Sequence, residues 1–184
     1  MTQDTRVAVF SSPGVKPAAG SGQRWIVLAL LAAVALLDQT TKWWAWRHIS
    51  GATVNPGGDF LVGPVVGSWY ADPATGAFLD LFGVGFLSVA VFVLVRRRRP
   101  AAVLVPAALM IGGWGSNLLD RLGMHSGTAP GSARGAVDFI PLDQLSYNLA
   151  DVAISAATLL YVLLAGYLCC RMPYRALERA ASAI

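Results

Sequence analysis

Three aspartates, Asp38, Asp120 and Asp151, lie within or at the edge of apolar stretches long enough to cross a bilayer. Carboxylates are expensive in that setting, so their default meaning is functional. In Asp38-Gln-Thr-Thr-Lys42 an acid and a base stand at i and i+4 on one helical face, where they can neutralise one another as a structural ion pair. Asn117-Leu-Leu-Asp120-Arg121 sets Asn117 and Arg121 on a common face with Asp120 beside the arginine. That neighbour is expected to keep Asp120 charged, which suits an anchor better than a proton donor. Gly135-Ala-Val-Asp138-Phe-Ile140 surrounds one carboxylate with apolar residues, where desolvation favours its protonated form. Asn148-Leu-Ala-Asp151 opens an apolar helix and puts Asp151 in the first turn, a position the helix dipole alone would favour.

Two close carboxylates can share a proton, which splits their titrations. One then takes a proton from water while the other donates to a peptide carbonyl oxygen. That is the requirement for hydrolysing an amide without a metal or a covalent nucleophile, and no serine, cysteine or metal constellation competes with it. His48 and His125 stand alone, and Cys169 and Cys170 are adjacent on a helix, so they point in different directions. No metal or other cofactor is implied.

The elements that must position these acids follow from composition. With 55% hydrophobic and 13% charged residues and a mean hydropathy of +0.57, the chain is an integral membrane protein. Four windows of suitable length, Trp25 to Trp46, Gly76 to Val95, Pro100 to Leu119 and Leu149 to Leu168, fit the hydrocarbon core. The expected fold is all-α, with four transmembrane helices. Ten of the fourteen basic residues fall before the first window, between the second and third, or after the fourth. The positive-inside rule makes those segments and both termini cytoplasmic, and the two long loops face outward. This placement assigns the net charge of +4 to topology rather than to a nucleic-acid partner. Residues 1–23 read as a disordered cytoplasmic tail, 24–170 as the membrane domain and 171–184 as a second cytoplasmic tail. The first window is expected to be a retained helix, because no Ala-x-Ala-type cleavage site follows it.

In the first outer loop, the alternation in Asp59-Phe-Leu-Val-Gly-Pro and Val65-Val-Gly-Ser-Trp-Tyr70 suggests a short β-sheet on the membrane. Trp43, Trp44, Trp46, Trp69 and Tyr70 suit an interfacial aromatic belt. The Gly112-Gly113-Trp114-Gly115-Ser116 run supplies small residues for close helix approach.

Asp38-x-x-Thr41-Lys42, Asn117-x-x-Asp120-Arg121, Val137-Asp138-Phe139 and Asn148-x-Ala150-Asp151, in this order, closely resemble the motifs of the lipoprotein signal peptidase (signal peptidase II) family. The resemblance runs from about Trp25 to Leu168. It implies an intramembrane aspartyl endopeptidase of the bacterial cytoplasmic membrane, with its active site at the outer face under a small extracytoplasmic β-rich cradle. The implied substrates are prolipoproteins carrying a diacylglyceryl-cysteine, cut just before that cysteine, among membrane lipids and with globomycin as inhibitor. The catalytic pair it implies is Asp138 and Asp151. Spacing alone leaves Asp138 and Asp120 open as the partner of Asp151. By the same resemblance Asn117, Asp120 and Arg121 support the substrate backbone, Asn148 positions Asp151, and Asp38 with Lys42 stabilises the first helix near the cavity.

The sequence departs from the family at the start of the second span. An Asn-x-Gly-Ala-Ala-aromatic segment is usual there, and this chain has Ala74-Thr75-Gly76-Ala77-Phe78, with Asn55 well upstream. Substrate range and globomycin sensitivity depend on that difference more than the chemistry does. Two other readings compete: a catalytically silent lipoprotein-binding relative, and a small proton-coupled transporter, which would need acids at several depths.

Overall fold

A computed structural model of the chain describes residues 21–57, 59–143 and 145–181. The protein is mostly helical. Helix α1 (Ser21–His48) is followed by strand β1 (Thr53–Asn55), helices α2 (Asp59–Ala71), α3 (Pro73–Arg96) and α4 (Ala101–Leu119), a π-helical turn (Asp120–Met124) and the short helix α5 (His125–Thr128). Strands β2 (Ala136–Asp138), β3 (Ile140–Leu142) and β4 (Leu145–Tyr147) precede the last helix, α6 (Leu149–Ala181). Among the described residues, three segments are long and apolar enough to cross a membrane: Gly22–His48, Pro73–Arg96 and Ala101–Thr128. The apolar part of α6, Leu149–Leu164, is shorter.

Local chemistry sets the helix ends. Pro73 opens α3, and the side chain of Asp72 caps it by accepting from the Thr75 N–H at 2.7 Å. At the other end Arg97 is extended, and Pro100 holds a second extended residue before α4 begins. Gln23 ties this turn to α1 by donating to the Arg97 carbonyl at 2.9 Å.

Helix α4 is the most enclosed of the long apolar helices. Leu104 and Ala108 pack with Val27 of α1 and Leu94 of α3. Further along, its glycines admit close neighbours: a Cβ on Gly112 would stand 3.0 Å from the Val34 side chain, and one on Gly113 would stand 2.7 Å from the Ala150 carbonyl oxygen. Helix α3 lies at the periphery, presenting Phe78, Leu81, Phe82, Phe86 and Val89 outward. Their i, i+3 and i+4 spacing forms one stripe, as a lipid-facing surface requires.

Three features differ from the sequence expectations. The stretch from Asp59 to Tyr70 lies in helix α2 rather than in strands. Short apolar runs carry no reliable period, and a helix meets its own backbone hydrogen bonds beside a bilayer where an isolated strand cannot. The strands that do form are two separate pairs, β1 with β2 and β3 with β4, both antiparallel. Helix α1 begins at Ser21, inside the stretch expected to be disordered, while residues 1–20 of that tail lie outside the described residues. Helix α6 runs through most of the expected second tail to Ala181, and residues 182–184 lie outside the described residues.

Candidate active site

The site is assembled where the far ends of α1 and α4 meet β1, β2 and the start of α6. Asn148 is the N-cap of α6. Its Oδ1 accepts from the Asp151 N–H at 2.9 Å, while the Asp151 carboxylate accepts from the Asn148 N–H at 3.1 Å. This reciprocal capping box fixes both side chains. Asn148 Nδ2 then donates to Asp138 Oδ1 at 2.6 Å, so one asparagine holds both carboxylates. Asp138 ends β2, opposite Thr53 of β1, and is almost wholly buried.

Behind this pair lies a buried ion cluster. The Lys42 ammonium contacts Asp38 Oδ2 at 2.6 Å, Asp120 Oδ2 at 2.7 Å and Asn117 Oδ1 at 2.6 Å, so its three N–H donors are all engaged. Asn117 Nδ2 passes the contact on, donating to Asp151 Oδ1 at 2.8 Å. Asp38 also accepts from Ser116 Oγ at 2.7 Å and from the Ala150 N–H at 2.8 Å, which ties α1 to α4 and α6 at the level of the dyad. A pocket of about 240 Å³ opens in front, lined by Asn55, Tyr70, Asn117, Arg121, Asp138 and Asp151 among others. Burial, and next the charge of Asp151, push the Asp138 carboxyl up to about 7; contacts from Asn148, Asn55 and Lys42 oppose the rise.

Two carboxylates thus share one pocket, the Asp138 carboxyl pushed up to about 7, with amide donors fixing both, an arrangement able to exchange protons with a bound molecule. Residues 30–166 match the model of the signal peptidase II family. The chain belongs to the signal peptidase II family. Similar relatives of this signal peptidase II family member include the lipoprotein signal peptidase of Leifsonia xyli subsp. xyli, 33% identical over 156 residues, which cover 76% of this chain and 66% of that protein. The lipoprotein signal peptidase of Streptomyces griseus subsp. griseus is 31% identical over 145 residues, covering 78% and 65%. The chain therefore spans slightly under two thirds of the length of these relatives. Two solved bacterial membrane enzymes share the fold, with TM-scores of 0.55 and 0.52 at 15% and 16% identity. Each covers 82% of this chain, and the matches take in 97% and 92% of their own chains.

All eight residues singled out in the sequence of this signal peptidase II family member meet at this one site, but two have other partners than the sequence suggested. Asp120 is not paired with the adjacent Arg121. It turns inward to Lys42, while Arg121 reaches Asp80 of α3 with Nε to Oδ1 at 2.9 Å. Successive residues on a helix diverge in direction, and here a π-helical turn adds to the divergence. Tyr70, read as an interfacial anchor, stands under the Arg121 guanidinium, 5.3 Å from ring centroid to Cζ, and lines the pocket.

Sequence reasoning named Asn55 without assigning it a place in the site, and missed Asp80 and Arg134. Asn55 of β1 lines the pocket, and Ala74 does not. Asn55 Oδ1 accepts from the Gly57 N–H at 2.9 Å, which turns its amide nitrogen toward the Asp138 carboxylate. The Asn55-Pro-Gly motif, with Gly57 at φ 125°, was the available signal.

Register between β1 and β2 keeps Asn55 in place, and Gly135 permits it. A Cβ there would stand 2.5 Å from the Asn55 carbonyl oxygen and 2.7 Å from Val54 Cγ1. Gly135→Ala is therefore expected to push β1 away from β2 and lower kcat/KM by roughly ten- to a hundred-fold through misplacement of the pocket wall. Steady-state kinetics alongside a thermal unfolding curve would separate this from general destabilisation.

Proposed function

We propose that the protein is a lipoprotein signal peptidase, an aspartyl endopeptidase that releases signal peptides from diacylglyceryl-modified prolipoproteins by cutting just before the lipidated cysteine. The observation that carries this reading is the bridging of Asp138 and Asp151 by Asn148 at a pocket, within a chain of the signal peptidase II family. A water held between the two carboxylates attacks the scissile carbonyl carbon. Asp151 takes the proton of the water, and Asp138 gives its proton to the carbonyl oxygen. Collapse of the tetrahedral intermediate returns a proton to the leaving nitrogen, so the signal peptide gains a carboxyl group and the cysteine a free amine. Asn117, Arg121 and Asn55 offer amide and guanidinium donors to the substrate backbone, and Asp38, Asp120 and Lys42 hold the frame.

The same reading covers topology. The apolar stretch Leu149–Leu164 makes the fourth crossing, beside the three longer ones. Arg24, the Arg96 to Arg99 run and Arg171, Arg175 and Arg179 lie on the cytoplasmic side of a bacterial cell membrane, together with both tails around a 24–170 peptidase domain. The dyad, α2 and the two strand pairs then lie at the outer face, where they form the cradle over the substrate. The acids gather at this end rather than marking a path across, which argues against a proton-coupled transporter.

The test is incubation of the purified protein, in lipid nanodiscs, with a diacylglyceryl-modified prolipoprotein and its unmodified form, followed by mass spectrometry of both products. Cleavage of the modified form alone, immediately before the cysteine, is expected. No cleavage across several lipidated substrates would overturn the proposal in favour of a lipoprotein-binding relative, and globomycin titration of an active preparation would read the inhibitor site.

Proton occupancy of Asp138 makes a further prediction. Cleavage requires its protonated form, so kcat/KM should fall on an alkaline limb with a midpoint near 7. Stability should share this window. The folded-state value lies above the ordinary 3.8, so the native state holds a proton that the unfolded chain releases. The stability contribution of this group falls as pH rises from about 4 to about 7. A pH series of unfolding temperatures for wild type and Asp138→Asn would isolate it, since the variant lacks the titration.

A further inference from the structure

Arg121 is held from behind by groups that do not reach the pocket. Asp80, buried to 1% exposure on α3, accepts from Arg121 Nε at 2.9 Å through Oδ1 and pairs through Oδ2 with Arg134. Arg134 Nε donates in turn to the Arg121 carbonyl at 2.9 Å, so it grips the backbone and the counter-ion of the same residue. On its other side the Arg121 guanidinium rests over Tyr70. Gly76 makes the assembly possible, because a Cβ there would stand 2.9 Å from the Tyr70 carbonyl oxygen and 3.0 Å from Arg134 Nη1. Arg121 lines the pocket with Asp138 and Asp151; Asp80 and Arg134 do not.

We propose that Asp80 and Arg134 are positioning residues for the peptidase: they clamp Arg121 so that its free N–H groups face the substrate backbone beside the cleaved bond. The inference rests on the function proposed above. An unrestrained arginine would lose rotamer freedom each time substrate bound; here that freedom is already lost on folding, with the planar fork oriented in advance. Because Asp80 neutralises cations close to the dyad, it also shapes the field there. Asp138 faces Asp151 of α6, Lys42 of α1, Asn55 of β1 and Asn148, and the Arg121 charge is felt by Asp120, Asp151 and Asp138.

Asp80→Asn keeps the shape of the side chain and removes its charge. The expected result is a KM for lipidated substrate raised about ten-fold with kcat largely kept, and an alkaline limb moved to lower pH as Arg121 and Arg134 lose their counter-ion. Asp80→Glu should recover part of the KM. In an Arg121→Lys background Asp80→Asn should add at most about two-fold, since both changes act through one side chain. A wild-type KM and pH profile in Asp80→Asn, measured beside an active wild type, would overturn the clamp and leave the peptidase reading intact. Fully multiplicative effects in the double variant would also overturn it, by showing that Asp80 acts without Arg121. An inactive wild type would overturn both proposals. Should Asp80→Asn fail to fold, Arg134→Gln, which leaves the Asp80 to Arg121 bond in place, is expected to raise KM in the same direction by a smaller factor, and an unchanged KM there would refute the clamp.

Discussion

Asp138→Asn and Asp151→Asn are each expected to lower kcat by on the order of 10²- to 10⁴-fold while leaving KM close to wild type. An asparagine at either position preserves the side-chain shape and an acceptor oxygen, so the contacts from Asn148 at 2.6 and 3.1 Å can persist. What it cannot do is gain or release a proton. The double variant should be no slower than the worse single one, because the two groups act as one unit. Asp138→Asn should also be more stable than wild type above pH 7, where the wild-type carboxyl must ionise in a buried place. Product analysis by mass spectrometry, with an unfolding curve for each variant, reads all of these outcomes. Retained cleavage in Asp138→Asn with loss in Asp120→Asn would transfer the acid role to Asp120 and remove the basis for the proposed mechanism.

Lys42→Met is expected to cost about 3–5 kcal/mol of stability, because two buried carboxylates, Asp38 and Asp120, would lose the one ammonium between them. For a chain of this size that corresponds to a fall in unfolding temperature of roughly 10 °C. The triple variant Asp38→Asn/Lys42→Met/Asp120→Asn should recover much of the loss, since the penalty comes from unpaired charge rather than from missing attraction. Its activity should nonetheless stay low, for Asn117 would lose the partner at 2.6 Å that aims its amide at Asp151. Differential scanning of the three proteins in one detergent distinguishes the two effects. Equal stability of Lys42→Met and wild type would mean that the cluster is not the structural centre of the site.

Much of this molecule was legible because its signals are local. A bilayer-length apolar run is a local signal, which is why three of the four expected windows fall on helices long and apolar enough to cross a membrane, while the apolar part of the fourth, Leu149–Leu164, is shorter than its window. The Asp38 to Lys42 pair follows from one helical turn, and the Asn148 to Asp151 spacing is that of a helix cap. The first outer loop was misread for the converse reason: a short apolar run with glycine and proline has no period that separates strand from helix, and β1 escaped notice because only its pairing with β2 defines it.

The sequence by itself determined the membrane class, the family and the set of acids that could be catalytic, since each of these is encoded in composition or in residues a few positions apart. Tertiary structure alone decided which acid faces which partner. Asp120 goes to Lys42 across 78 positions and leaves Arg121 to Asp80 across 41, while Asn55 crosses from β1 to Asp138. Those choices depend on how helices rotate and approach at Gly76, Gly112, Gly113 and Gly135, where bare backbone admits a neighbour. In a buried site of low dielectric, each charge must find the partner that such packing brings within hydrogen-bond reach, and sequence neighbours on a helix point elsewhere.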